Sequence, residues 1–302
     1  MASWGNLLCE LRERRDVSGN ILPALNHDQL REKYLALLHK KTGRAIIAYY
    51  SGWLAGKGGV DYGIDDSDLT GFMQCLCGVD CSKGLDLILH TPGGRPTAAE
   101  GIVNYIHEKF DDDIRVIVPQ MAMSAGTMLA CASKEILMGK QSCLGPIDPQ
   151  YSGVSAYNIL NEFQHAKLDL QSNPKSESYW KIQLNRYPWA FFYAVSDGVE
   201  LSSVLVAEWL AKYMFKGDAA ANIQGKISSI VSRLNDNNKS HARHFGVSVC
   251  EDLGLKIKRI EEDNELQDCI LSVHHAFTIT FDQTPIKKIV ENHLGERFLV
   301  NR

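Results

Sequence analysis

Ser124 stands in Met121-Ala122-Met123-Ser124-Ala125-Gly126-Thr127, between the apolar run Ile114–Pro119 and the helix-like run Met128–Lys134, so it marks a strand-to-helix turn. A serine there is held exposed, while the free N–H groups and positive dipole end of the helix stabilise a nearby anion. Upstream, the apolar run Leu85–His90 leads into Thr91-Pro92-Gly93-Gly94, where adjacent glycines let the backbone turn sharply and bring N–H groups close to a ligand. Two backbone donors aimed at one point beside a hydroxyl are the parts of an oxyanion hole for acyl transfer, and Gly94 and Ala125 are the donors assigned. Farther on, Leu144-Gly145-Pro146-Ile147-Asp148-Pro149-Gln150 sets Asp148 between prolines, on a loop stiffened by the extended geometry that precedes each proline.

The elements that must hold these residues are read from periodicity. Apolar runs at Ala45–Tyr50, Leu85–His90 and Ile114–Pro119 alternate with helical segments at βαβ intervals, which predicts an α/β fold with a mainly parallel sheet and flanking helices. Ligands bind at the carboxyl ends of such strands, where the diglycine turn and Ser124 both fall. Thr97 and Glu100 read as a capping box for a helix whose apolar face is Ile102, Val103, Ile106 and Phe110. Before the first strand, Trp4 to about Lys41 reads as a helical arm with the stripe Leu30, Tyr34, Leu37 and Leu38. After Gln150 the chain reads as largely helical, over Asn158–Lys167, Tyr179–Phe215 and Asp218–Leu234, with Trp180, Trp189, Phe191, Phe192, Tyr193 and Trp209 making this part aromatic-rich. The polar run Asn235–Ser240 is a surface loop. A short helix follows, capped by Ser248 and Glu251 and closed by Gly254-Leu255, and Lys256–Ile260 returns as a strand. The expected divisions are a helical arm over 1–44, a catalytic domain over 45–260 with a helical insertion at about 155–235, and a helical tail over 261–302 containing His274-His275 and Phe277–Phe281.

The ordered blocks Thr91–Gly94, Met123–Thr127 and Leu144–Gln150 resemble the serine dehydrogenase proteinase family, distant relatives of Clp-type peptidases within the Clp/crotonase superfamily. The resemblance is strong over about 85–150 and weaker over 240–256. It implies a Ser, Asp, His triad in that chain order, with Ser124 and Asp148 in the first two roles. The third falls to His241, counting back from Gly254-Leu255 to the family's histidine turn. Where that turn usually has an acidic and an aromatic residue before a proline, Ala242, Arg243 and His244 stand here, which leaves His244 as a rival base. Related signal-peptide peptidases pair serine with a downstream lysine, so Lys175 and Lys181 are rivals too. The family often carries an N-terminal membrane anchor, and none is read in this chain. Subunit contacts made by helices in Clp-like folds imply a homo-oligomer.

Bulk properties narrow the classes. With 302 residues and 45% hydrophobic content the chain is globular, and a net charge of −4 with interspersed signs gives no electrostatic reason to expect nucleic acid or an anionic membrane. No apolar run reaches membrane-spanning length and no signal peptide is read, so a cytoplasmic protein is expected. Eight cysteines, with Cys75, Cys77 and Cys81 close together, lack zinc-site spacing and read as reduced thiols, with Cys131 and Cys143 near the core. Gly56, Gly58 and Gly59 do not follow a phosphate-binding pattern, and Asp61, Asp65, Asp66 and Asp68 lack EF-hand spacing and read as a solvated loop capping the next helix. His90 and His274-His275 read as structural. No cofactor or metal is implied. The function expected is a serine hydrolase acting on peptide or protein substrates. A catalytically silent peptide-binding scaffold and crotonase-like acyl-CoA chemistry are the alternatives from other classes.

Overall fold

The computed structural model describes residues 3–12, 14–15, 21–56, 60–218, 223–235 and 240–302. Gly58 and Gly59, and residues 236–239 of the polar run, lie outside them. Helix α1 (Trp4–Arg12) precedes a ribbon of two short strands, β1 (Arg14–Arg15) and β2 (Ile21–Leu22). Helix α2 (His27–Thr42) opens on a capping box between Asn26 and Gln29 and closes on Gly43, which takes the left-handed conformation at φ 67°. Its buried stripe is Leu30, Tyr34, Leu35 and Leu38; Leu35 swings the centre of that stripe away from Leu37, which is 43% exposed instead of buried.

The middle of the chain builds the parallel sheet. Strand β3 (Ala45–Ser51) leads by way of helix α3 (Asp68–Cys75) to β4 (Leu85–His90), then helix α4 (Pro96–Phe110), β5 (Ile114–Val118), the short β6 (Met121–Ala122), helix α5 (Ala125–Cys131), β7 (Glu135–Met138) and the short β8 (Cys143–Leu144). Strands β3 and β4 are buried along their whole length, as both faces are covered by helices. Helix α4 starts with Pro96, whose fixed φ suits a first turn. Thr97 is therefore already inside the helix, and the Thr97–Glu100 capping box does not form. The next helix spans Ala125–Cys131, starting earlier than the expected Met128 because Ser124 is its N-cap.

Strands β9 (Gln150–Tyr151) and β10 (Val154–Ser155) form a tight hairpin before the helical part, which comprises α6 (Ala156–Ser172), α7 (Glu177–Leu184), α8 (Phe191–Trp209) and α9 (Ile223–Asn235). The single helix expected over Tyr179–Phe215 is broken: Pro188 lacks the N–H a helix needs, Ala190 sits at φ 59°, and α8 runs on into a π-turn at Leu210–Met214. Residues 219–222, at the start of the helix expected from Asp218, lie outside the described residues. The chain then returns through β11 (Phe245–Gly246), α10 (Val247–Leu253), β12 (Ile257–Arg259), α11 (Asn264–Gln283), β13 (Ile286–Asn292) and β14 (Arg297–Asn301). Gly254 closes α10 in the left-handed conformation, but Gly246 is its N-cap, and Glu251 pairs with Arg259 rather than capping.

The main sheet has seven strands in the order β12-β7-β5-β4-β3-β13-β14. Its members are parallel except at the β13–β14 hairpin, which runs antiparallel to β3. Two apolar cores lie on its two faces, one gathering α3, α4, α5 and α8, the other α1, α2 and α11. The tail expected to be helical over 261–302 is helix only to Gln283. Lys288 and Glu291 hide the strand that follows, because both are charged yet buried, Lys288 against Asp65 and Asp68, Glu291 against Arg31. The acidic loop is corrected by the same contacts: Asp68 is fully buried, not solvated.

Candidate active site

A second, three-stranded sheet of order β11-β8-β6 gathers the chemistry. Strand β6 runs parallel to β8, pairing Met121 with Cys143 and Ala122 with Leu144. On the other side β11 runs antiparallel, pairing Phe245 with Leu144 and Gly246 with Cys143. Ser124 lies just beyond Ala122, Asp148 just beyond Leu144, and His241 just before Phe245. Given those strand directions, all three leave the same end of the sheet. Thr91 adds a further parallel bridge to Ala122, with Thr91 N–H donating to Met121 O (3.1 Å) and Met123 N–H to Thr91 O (3.0 Å), which sets the diglycine turn beside Ser124.

Ser124 occupies the N-cap of α5 at φ 51° and ψ −118°, a conformation that costs a non-glycine residue about 1–3 kcal/mol. Such strain persists only where the surroundings over-determine it, and here they do. A Cβ added to Gly93 (φ 101°) would lie 2.6 Å from Ser124 Cβ and 3.1 Å from the Ala125 nitrogen. One added to Gly126 would lie 2.5 Å from Thr91 Cγ2. The turn and the serine thus pack backbone on backbone.

The two expected oxyanion donors are the amides this packing leaves open. Ala125 is the first residue of α5, so its N–H has no partner within the helix. Gly94 forms a parallel bridge with Ile64, in which Ile64 N–H donates to Gly93 O (2.7 Å) and Arg95 N–H donates to Ile64 O (2.9 Å). A parallel bridge made by the flanking residues turns the central residue's own N–H away from the partner strand.

Asp148 and His241 meet although 93 residues separate them: His241 Nδ1 and Asp148 Oδ1 are 2.8 Å apart. The other carboxylate oxygen, Oδ2, accepts from Ser155 Oγ (2.7 Å) and Gln150 Nε2 (2.9 Å) of the β9–β10 hairpin. Asp148 is buried and His241 half-buried, the arrangement in which a carboxylate holds an imidazole in one tautomer and orientation. No hydrogen bond joins Ser124 Oγ to His241 among the described residues. A cavity of about 630 Å³ opens between the segments, and its wall includes Pro92, Met123, Asp148 and His241, the first two being next to Gly93 and Ser124 in sequence. His244 also faces this cavity but is exposed, and Lys175 and Lys181 lie exposed on the helical part, away from its wall.

Sequence reasoning missed four supports. Thr127, buried within the serine motif, accepts from Gly145 N–H (2.9 Å) and donates to Ala122 O (2.8 Å), tying α5 to the loop that carries Asp148. Gly93 rather than Gly94 is the glycine that touches Ser124, a distinction that needs φ values and not only a diglycine. Ser155 and Gln150 had no signal beyond their nearness to Asp148. His90, read as structural, is buried among Tyr50, Trp53 and His274, and burial holds it well below the ordinary histidine range.

Comparison with known proteins adds three findings. Residues 63–173 match the model of a family described as ClpP-like SDH-type serine proteinase, the family that the three motifs resemble, and the mainly parallel α/β fold is consistent with a ClpP-like one. The match supports a peptidase-like function. It contains Gly94, Ser124, Ala125 and Asp148 but not His241. Two uncharacterized proteins of Methanocaldococcus jannaschii are similar, one 36% identical over 106 residues and the other 42% identical over 79. These matches cover 35% and 26% of this chain, and 36% and 27% of the two relatives. No helix among the described residues is long and apolar enough to cross a membrane.

Proposed function

We propose that this protein is a serine peptidase that cleaves peptide bonds through an acyl-enzyme on Ser124. The observation that carries the proposal is the 2.8 Å contact of His241 with Asp148, on the same end of the small sheet as Ser124. Ser124 Oγ attacks the scissile carbonyl carbon; His241 Nε2 takes the hydroxyl proton and then delivers it to the leaving amine. Asp148, steadied by Ser155 and Gln150, orients the ring through Nδ1 and stabilises the imidazolium. The Gly94 and Ala125 amides hold the tetrahedral oxyanion. Water then releases the acid by the same route. Peptide or protein substrates, a homo-oligomeric assembly and a cytoplasmic setting, which suits eight free thiols, belong to the same proposal.

A catalytically silent peptide-binding scaffold is the second reading, and what favours it is the lack of a hydrogen bond between Ser124 Oγ and His241. Catalytic hydrogen bonds often tighten only when substrate binds, which is why the peptidase is preferred. A fluorophosphonate probe, followed by mass spectrometry of the modified residue, decides between them. Labelling at Ser124 that disappears in Ser124→Ala supports the peptidase; an assembled, folded protein that is not labelled supports the scaffold.

A further inference from the structure

Lys288 is 1% exposed, and the chemistry above makes no use of it. A buried ammonium is strongly destabilising unless it is paired. Here Nζ donates to Gly63 O (3.1 Å) and Asp65 Oδ2 (2.7 Å) and forms an ion pair at 2.8 Å with Asp68 Oδ1, which receives no hydrogen bond among the described residues, so two hydrogen bonds and two carboxylates hold the ammonium. Asp68 is fixed in turn, its other oxygen accepting from Tyr49 OH (2.8 Å) and Asp65 N–H (2.9 Å). Strand β13 is thereby fastened to residues 63–68, which come 225 positions earlier in the case of Gly63.

Between the two fastened points, Gly63 and Asp65, sits Ile64. Its backbone bonds to Gly93 O and Arg95 N–H on either side of Gly94. A Cβ added to Gly94 would lie 2.1 Å from Ile64 N, so the Ile64 backbone is the surface on which Gly94 rests. From the C-terminal hairpin, Lys287 Nζ reaches only Asp61 O (3.3 Å), ahead of the turn, whereas Lys288 grips the residues on both sides of Ile64. We infer that Lys288 is a positioning residue for the oxyanion turn: it locks the loop around Ile64, and the loop sets the direction of the Gly94 N–H. The inference rests on the reading of Ser124 as nucleophile. Without Lys288, Asp65 and Asp68 face each other unneutralised, and the loop shifts towards solvent.

The test uses the full chain carrying Lys288→Met, Lys288→Arg or Asp65→Asn, with folding checked by circular dichroism and thermal unfolding. For Lys288→Met, kcat on an activated ester is expected to fall about ten- to a hundredfold, the scale of a misplaced oxyanion donor, with KM changed less than about twofold. Fluorophosphonate labelling of Ser124 slows in parallel, and Lys288→Arg recovers part of the rate. Hydrogen–deuterium exchange rises over residues 91–95. A folded Lys288→Met protein with wild-type kcat and wild-type exchange in that turn overturns the inference. If Lys288→Met does not fold, Asp65→Asn carries the test, because the Asp65 side chain is 31% exposed and its loss is tolerable; slower labelling supports the inference and an unchanged rate overturns it. If wild-type Ser124 is not labelled at all, the nucleophile reading is what fails, and the exchange measurement still decides whether Lys288 controls the turn.

Discussion

Phe245 and Leu144 face each other across an antiparallel ladder, and Leu144 has Ala122 on its other side. Leu144 is thus the hinge pin of the site, since the serine, aspartate and histidine segments are all measured from it. A small sheet of short strands fixes what no local sequence pattern could, the meeting of a proline-framed loop with a turn that follows a long helical excursion.

Asp148→Asn should leave the fold intact and lower kcat by about 10³- to 10⁴-fold, because the amide cannot hold the Nδ1–H tautomer as a carboxylate does. Steady-state hydrolysis of an ester or peptide checks it, with circular dichroism to confirm folding. A loss of less than about tenfold would remove Asp148 from the triad.

Gly93→Ala should cripple the site more than its size suggests. The new methyl would meet Ser124 Cβ at 2.6 Å, and φ 101° is strained for alanine. Expected are a loss of about 1–3 kcal/mol in urea unfolding and the near-disappearance of probe labelling. Gly101→Ala, inside α4 and meeting nothing within 4 Å, is the matched control: labelling should match wild type, and unfolding should be unchanged or shifted up by about 0.5–1 kcal/mol.

Thr127→Val removes a hydroxyl that is buried and bonded on two sides. Gly145 N–H and Ala122 O would lose that partner inside the core, which costs about 1–3 kcal/mol for a buried group left unsatisfied. Thermal unfolding should show a lowered Tm. An unchanged Tm would mean the contact between α5 and the Asp148 loop is not needed for stability.

His274 is buried beside His90, and burial pushes it down to about 3. In the unfolded chain it takes a proton near pH 6.5, so between those values the unfolded state binds more protons and stability falls as the pH drops. The slope from this one group is about 1.4 kcal/mol per pH unit at most. Urea unfolding of wild type and His274→Gln at several values between pH 7 and 4 should show a shallower decline in the variant. Parallel declines would place the histidine outside the acid response.

The serine turn was legible in sequence because it is local. Strand, turn and helix follow one another from Ile114 to Cys131, and the diglycine repeats the arrangement one strand earlier. The parallel sheet was legible for the same reason, from runs of apolar residues buried on both faces. Caps were misread where a different residue started the helix, as Pro96 does in place of Thr97 and Gly246 in place of Ser248. The C-terminal hairpin was missed because Lys288 and Glu291 break its apolar alternation, and a buried charge makes sense only once its partner, Asp68 or Arg31, is seen beside it. The contact between His241 and Asp148 came from resemblance, since no periodicity reports on a pair 93 residues apart.

Strand β3 has β4 on one side and β13 on the other, so the middle of the sheet is completed by a segment made long after its neighbours. During synthesis β3, β4, β5 and β7 can assemble while the outer edge of β3 stands open, and an open edge is a template for pairing with other chains. A chain that already has the Ser124 turn still lacks β13 along that edge. Closing that edge brings Lys288 to Gly63, so the strand that covers the edge also holds the loop against which Gly94 rests.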